Sequence, residues 1–328
     1  MKEDRLIRII VIFCPAACLA LLLSVILLFF FPGVDSSLYQ VKEKHRFGAT
    51  YMTMNNPYYQ LLDEQIRMLI EVNGDELLSR DASLNQEKQI EQIRELISEG
   101  VEVLFLTPVE LDTVRPGLEL ANDSGVPVIV VDAPVKDSGL AACSVLSDNY
   151  QAGVLCGKHL LSVRRSANIL LLEHITAKSG AERIQGFIDT IRGHEGFRVL
   201  GAGESDGQIE SAMPVMEKLL KKYPEADTLM ALNDPSAFGG MAAIRGAGLT
   251  DRFLVYGVDG TPEAKGMVKD GMMTATCAQF PLVISEKAVE QAYLTLKDRN
   301  GLRGKEVIVP VELITEENVD QFGTDGWQ

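Results

Sequence analysis

The chain of 328 residues lacks the common motifs of enzymes and of nucleic-acid-binding proteins. It has 31 Lys and Arg against 46 Asp and Glu, a net charge of -15, so no clustered basic surface for phosphate binding is predicted. Its four histidines have no metal-ligand spacing, and no GxSxG elbow, GxxxxGK[ST] loop or EF-hand loop occurs. We therefore expect no nucleic-acid partner, no enzyme activity, no metal and no cofactor.

Cysteine is scarce as well, with five residues in the chain. Cys14 and Cys18 lie in an apolar N-terminal segment, which leaves Cys143, Cys156 and Cys277, an odd number without a CxxC spacing. A disulfide framework is therefore not expected. We interpret the three as small, buried, apolar side chains.

A single long hydrophobic run stands out in a chain that otherwise has none. Residues 9–31 are almost all apolar, and roughly 23 residues at about 1.5 Å rise each are long enough to span a bilayer core. Lys2, Arg5 and Arg8 precede the run, so the positive-inside rule keeps the N-terminus cytoplasmic. We predict a membrane anchor over residues 1–31 and a linker over 32–45, with the remaining chain extracytoplasmic at the cell membrane.

Two other interpretations of this segment stay open. It is either a cleaved signal peptide or a lipoprotein signal that ends at Cys18, which would then carry lipid. About a dozen apolar residues follow Cys18 and no A-x-A site closes the run, so the retained anchor is favoured.

The remaining chain alternates short apolar runs with amphipathic helical stretches, a pattern typical of parallel α/β sheets. The predicted strands are RFGATYM, ELLSR, VEVLFL, VPVIVVD, NILLLE, FRVLGA, DTLMAL, RFLVYGVD and MMTATCAQ. The predicted helices cover residues 57–72, 85–98, 110–122, 179–192, 209–222, 235–247, 262–269 and 281–297. These are too many units for one sheet, so we predict an α/β fold of two doubly wound parallel-sheet lobes.

Ligands of such sheets bind beyond the carboxyl ends of the strands, where this sequence places polar and aromatic side chains. The candidates are Asn56, Tyr58, Tyr59, Asp132, Arg183, Asn233, Asp259 and Gln279. Carboxylates, amides and one guanidinium can saturate a ring of hydroxyls, and aromatic faces cover the C–H face of a sugar. Alternatively, Asn and Asp at these positions only cap the helices that follow.

Seven segments resemble those of ribose-binding-type sugar-binding proteins, the type I periplasmic binding proteins of ABC transporters. They are TMNNPYYQLL, VPVIVVDA, SDNYQAG, GAERIQGF, LNDPSAFGGMAAI, VYGVDGTPEA and TATCAQFP, and they span about residues 47–313 in the order of that family. The resemblance implies two lobes joined by three crossing strands and closing on a monosaccharide. It also implies that all eight candidate residues bind the ligand.

The resemblance further implies the lobe boundaries. Residues 46–147 and 280–311 would form the first lobe, and residues 148–279 and 312–328 the second. The crossings would lie near residues 147–149, 279–281 and 311–313.

Three positions depart from the ribose-binding pattern. Ala133 replaces an arginine, Gly207 stands near an expected aromatic residue, and Met52 replaces a small hydroxyl residue. The pattern therefore indicates a roomier site for a larger or deoxygenated sugar or another polyol.

We expect a monomeric, membrane-tethered solute-binding protein that captures a monosaccharide or polyol and delivers it to an ABC permease. The alternative is a subunit that presents its sugar-bound closed form to a membrane sensor kinase. An enzyme that uses Asp132 and Asp259 as paired carboxylates is disfavoured, because the resemblance makes both of them hydroxyl acceptors.

Overall fold

A computed structural model describes residues 44–298, 301 and 303–328. The predicted anchor at 1–31 and almost all of the linker lie outside these residues. Within the described part of the chain, no helix is both long and apolar enough to cross a bilayer. Cys143, Cys156 and Cys277 are buried and free, as the sequence predicts.

The first sheet contains six parallel strands in the order β11-β5-β4-β3-β1-β2. Its strands are β1 Arg46–Tyr51, β2 Glu76–Asp81, β3 Val103–Leu106, β4 Val128–Asp132, β5 Cys143–Ser147 and β11 Lys305–Val309. The helices between β1 and β4 are α1 Pro57–Glu71, α2 Gln86–Ser98 and α3 Arg115–Asp123, and a 3₁₀ turn, Ser138–Leu140, precedes β5. Successive residues of a strand face opposite sides, so Phe47, Ala49 and Tyr51 enter one core while Gly48 contacts the other.

The second sheet has the order β12-β10-β9-β8-β6-β7. Its strands are β6 Ala167–Glu173, β7 Phe197–Glu204, β8 Thr228–Ala231, β9 Leu254–Asp259, β10 Ala275–Ala278 and β12 Glu312–Thr315. Its helices are α4 Asn149–Val163, α5 Lys178–Ile191, α6 Ile209–Lys222, α7 Asp234–Gly246, α8 Pro262–Lys269 and, near the C-terminus, α10 Val319–Phe322. A 3₁₀ turn, Thr250–Arg252, precedes β9. The two-lobe α/β prediction is thus confirmed.

The chain passes between the two sheets three times. It leaves the first sheet after Ser147 and returns after β10, when α9 Pro281–Lys297 packs on α1 and on strands of the first sheet. It crosses again between β11 and β12.

Besides β5 and α4, which the sequence prediction does not include, two details differ from it. Strand β12 runs antiparallel to β10, because residues 310 and 311 link it directly to the carboxyl end of β11 and it enters the second sheet from that sheet's own carboxyl edge. Helix α3 begins at Arg115 rather than at Glu110. Pro116 explains this start, since proline is tolerated in the first turn of a helix and not in its interior.

Candidate functional site

A small cavity lies between the carboxyl ends of the two sheets. Its lining includes all eight side chains that the sequence predicts: Asn56, Tyr58, Tyr59, Asp132, Arg183, Asn233, Asp259 and Gln279. The structure therefore brings together residues up to 223 positions apart (279 − 56) from both lobes. That they contact a ligand stays a prediction.

The first lobe contributes a helix start and one carboxylate. The Asn56 side-chain oxygen accepts a hydrogen bond from the Tyr58 backbone N–H at 2.9 Å and caps α1. Tyr58 and Tyr59 follow in the first helical turn, with ring centroids 5.5 Å apart and ring planes at 80°. The Tyr59 hydroxyl donates to Asp132 Oδ2 at 3.1 Å. The capped first turn of α1 thus places the rings of Tyr58 and Tyr59 at the cavity, and the hydrogen bond to Asp132 fixes Tyr59 to β4.

The second lobe contributes a buried ion pair. Arg183 Nε donates to Asn149 Oδ1 at 2.8 Å, and its Nη1 donates to the Leu232 carbonyl at 3.1 Å and to Asp259 Oδ1 at 3.4 Å. Gln279 Nε2 donates to the same Asp259 oxygen at 2.8 Å. Three acceptors therefore fix the guanidinium, and two donors occupy one oxygen of Asp259.

Glycine contacts between α4 and α5 place Arg183 beside Asn149. A Cβ atom on Gly153 would lie 1.8 Å from the Arg183 carbonyl oxygen, and one on Gly186 would lie 2.1 Å from the Tyr150 carbonyl oxygen. The two helix backbones therefore touch, which only glycine permits at these positions.

Four polar atoms at the cavity are buried without a hydrogen-bond partner among the described residues: Tyr58 Oη, Asp132 Oδ1, Asp259 Oδ2 and Gln279 Oε1. Buried polar groups are almost always paired in proteins, and an unpaired one costs about 1–3 kcal/mol. Tyr58 Oη and Asp132 Oδ1 belong to the first lobe, and Asp259 Oδ2 and Gln279 Oε1 belong to the second lobe. The pattern indicates a ligand that supplies hydrogen-bond donors to both lobes.

Burial controls the protonation of the two carboxylates. It raises the pKa of Asp132 above its usual range, although Arg183, the Tyr59 hydrogen bond and the nearby Tyr58 hydroxyl oppose the shift. The pKa of Asp259 is raised further, because burial outweighs the attraction of Arg183 while Asp234 and Asp132 add repulsion. The backbone φ angles of Asp132 and Asp259 are +71° and +136°, unusual values that cluster at functional sites.

Asn233 behaves as the capping alternative predicts. Its Oδ1 accepts from the Ser236 backbone N–H at 3.0 Å and its Nδ2 donates to the Gly207 carbonyl at 3.0 Å. Capping of α7 and attachment of the loop before α6 account for both of its polar groups.

The sequence prediction missed several residues of the lining, including Thr53, His174, Ser179, Asp206 and Gln208. His174 follows β6 directly and Asp206 lies two residues after β7. The rule that found the other strand ends, applied to these two strands, would have found both.

The mouth of the cavity is bridged by direct bonds between the lobes. Asn55 Nδ2 donates to Gln208 Oε1 at 2.9 Å, and the Leu111 N–H donates to the Thr176 carbonyl at 3.4 Å. The lobes are thus closed on each other.

Of the three departures from the ribose-binding pattern, two face the cavity. Met52 and Gly207 are part of its lining, whereas Ala133 is buried in the first-lobe core. The sulfur of Met52 lies 3.3 Å from the Tyr59 hydroxyl.

Comparison with known proteins decides the family. Residues 47–300 match the family described as periplasmic binding protein domain. The chain belongs to this family. The resemblance stated from the sequence is therefore confirmed, and the family is one of binding proteins for transport and not of enzymes.

Several members of the periplasmic binding protein family are similar over most of their length. The ribose import binding protein RbsB of Salmonella typhimurium (strain LT2) is 32% identical over 256 residues, which cover 77% of this chain and 86% of that protein. The protein of the same name from Bacillus subtilis (strain 168) is 29% identical over 253 residues, 76% of this chain and 81% of its own. A solved ABC transporter solute binding protein from Mycobacterium smegmatis with bound glycerol is 26% identical, with a TM-score of 0.81, and the match covers 87% of this chain and 99% of that one.

Proposed function

We propose that the protein is a membrane-tethered, extracytoplasmic solute-binding protein that captures a monosaccharide or related polyol by lobe closure. It delivers this ligand, as a monomer, to an ABC permease. Relatives named as ribose import binding proteins and a structural neighbour with bound glycerol support a polyhydroxylated ligand. The departures at Met52 and Gly207 support a sugar other than ribose.

The observation that carries this proposal is the set of four unpartnered polar atoms. Asp132 Oδ1, Asp259 Oδ2 and Gln279 Oε1 are acceptors, and the Tyr58 hydroxyl both donates and accepts. Sugar hydroxyls also donate and accept, so one ring can pair all four atoms. A ligand that contacts both lobes stabilises the closed state by its differential affinity for that state.

The lobe boundaries belong to the same proposal. Residues 46–147 and 280–311 would move as the first lobe, and residues 148–279 and 312–328 as the second. The pairing of β11 with β5 and of β12 with β10 supports this division, as does the packing of α9 on the first sheet.

Membrane attachment rests on residues 1–31, followed by the linker at 32–45. Its test is fractionation of cells that express the full chain, followed by N-terminal sequencing and mass spectrometry of the product. An intact N-terminus in the membrane fraction supports the anchor, whereas a shortened soluble chain or a lipid on Cys18 contradicts it.

The proposed ligand class is tested by thermal unfolding of the full-length chain in detergent micelles with ribose, allose, myo-inositol or glycerol. A ligand at 100 times its Kd stabilises the folded state by about 2.7 kcal/mol, so a clear rise in Tm is expected for at least one of the four. An unchanged Tm with all four, at concentrations up to the millimolar range, contradicts a polyol site.

The alternative partner is a membrane sensor kinase, which would read the same closed form. A retained anchor is equally compatible with it. Deleting the candidate permease or the candidate kinase separates the two: loss of polyol uptake supports delivery to a permease, and loss of the transcriptional response alone supports sensing.

A further inference from the structure

Three side chains with metal-ligand chemistry meet at the mouth of the cavity. His174 follows β6, Glu204 is the last residue of β7, and Asp206 lies in the turn after it. Their ligand atoms all lie within 4.8 Å of one another. Two donors of a tetrahedral Zn²⁺ site, each about 2.1 Å from the ion, lie roughly 3.4 Å apart, so the two exposed carboxylates must rotate toward the ring to complete the geometry.

The imidazole of His174 is the observation that points to a ligand. His174 is 7% exposed, and neither ring nitrogen has a hydrogen-bond partner among the described residues. The ring is held by its packing, while its nitrogens face the cavity and the two carboxylates and are open to a ligand.

Glu204 is held beside this ring. Its Oε2 accepts a hydrogen bond from the Ile175 backbone N–H at 3.2 Å. The contact fixes one carboxylate next to the His174 side chain and leaves its second oxygen available for a cation.

The charges around the ring favour a cation. In the part of the chain that the structure describes, neither Glu204 nor Asp206 forms an ion pair with Lys or Arg. Glu110 of the first lobe adds a third carboxylate near the ring.

We propose that His174, Glu204 and Asp206 form a binding site for a divalent transition-metal ion, with Zn²⁺ as the best fit. One imidazole and two carboxylates suit Zn²⁺ better than Mg²⁺ or Ca²⁺, which prefer oxygen donors alone. Three protein ligands leave a further position open. His174 and Asp206 also line the cavity, so this position lies at its edge.

The test is calorimetric titration of ZnCl₂ into the untagged full-length chain in detergent micelles at pH 7.5. We expect one equivalent of Zn²⁺ to bind at the site and weaker binding of MgCl₂ and CaCl₂. The variants Glu204→Gln, Asp206→Asn and His174→Gln should each lower the Zn²⁺ affinity at least about tenfold. The matched control is Glu102→Gln, which alters another His–carboxylate pair, with His45 Nδ1 at 3.0 Å from Glu102, and should leave the affinity unchanged.

Cobalt provides a second readout. Co²⁺ bound by the native chain should show visible d–d absorption that the Glu204→Gln and Asp206→Asn variants lose. Both substitutions change exposed side chains, so their circular dichroism and Tm should stay close to those of the native chain.

Absence of Zn²⁺ binding up to millimolar concentration overturns the proposal. Binding that all three variants retain also overturns it, because the ion would then lie elsewhere. This metal site is independent of the proposed polyol ligand, since neither titration contains a sugar.

Discussion

Replacing Asp259 by Asn should weaken polyol binding while preserving the shape of the cavity. Asp259 Oδ1 already accepts hydrogen bonds from Gln279 and Arg183, so the unpartnered Oδ2 is the oxygen available to the ligand. A hydrogen bond to a charged group contributes about 1.5–3 kcal/mol. The substitution should therefore raise Kd by roughly 10- to 150-fold.

The assay is calorimetry at pH 8 with whichever of ribose, allose, myo-inositol and glycerol raises the Tm most. The matched control is Asp227→Asn in the same lobe. Asp227 Oδ1 accepts hydrogen bonds from the Asn168 N–H at 3.0 Å and the Thr228 hydroxyl at 2.8 Å, and the residue does not line the cavity. The control should change Kd by less than about twofold.

Either of two results would refute this reasoning. Asp259→Asn could retain the native affinity, which would mean that Oδ2 does not contact the ligand. Asp227→Asn could weaken binding as much as Asp259→Asn, which would mean that the loss arises from a general disturbance of the lobe.

Three further predictions concern the rings, the buried charge and the helix contact. Tyr58→Ala should weaken polyol binding by about 1–3 kcal/mol through lost contact area, and Tyr58→Phe by about 1 kcal/mol; equal Kd values for both variants and the native chain would exclude the ring from the site. Burial raises the pKa of Asp234 from 3.8 to about 7, so between about pH 4 and pH 7 only the folded chain keeps the proton. The free energy of unfolding should therefore fall as pH rises through this range, and Asp234→Asn should flatten the slope in urea titrations; an unchanged slope contradicts the shift. Gly153→Ala should cost at least about 1–3 kcal/mol of stability and weaken binding by displacing Arg183, whereas Gly246→Ala, with no atom within 4 Å of the added Cβ, should do neither.

The sequence predicts the two-lobe architecture because the spacing of apolar residues indicates which face of each helix and strand is buried. It does not identify helix α4, whose residues 149–163 contain Gly153 and Gly157. Glycine in a helix interior is unfavourable by itself, and these two become necessary only because α5 packs directly against them. The sequence likewise does not predict the direction of β12, because this direction depends on where the chain enters the second sheet.

The candidate site follows from one rule, that parallel strands present their carboxyl ends at a common edge. The rule predicts that Asp132 and Asp259 lie at the same cavity, although 127 positions (259 − 132) separate them. It cannot predict which oxygen of each carboxylate stays unpaired, because that depends on Tyr59, Arg183 and Gln279 in the folded chain. The role of Asn233 as a cap is also decided only by its three-dimensional neighbours.

A crystal structure of the full chain with the polyol that raises its Tm most tests the central claim directly. We expect hydroxyl groups of one ligand molecule to lie within hydrogen-bond distance of both Asp132 Oδ1 and Asp259 Oδ2, between closed lobes. A ligand that binds outside this cavity, or that contacts only one of the two lobes, would contradict it.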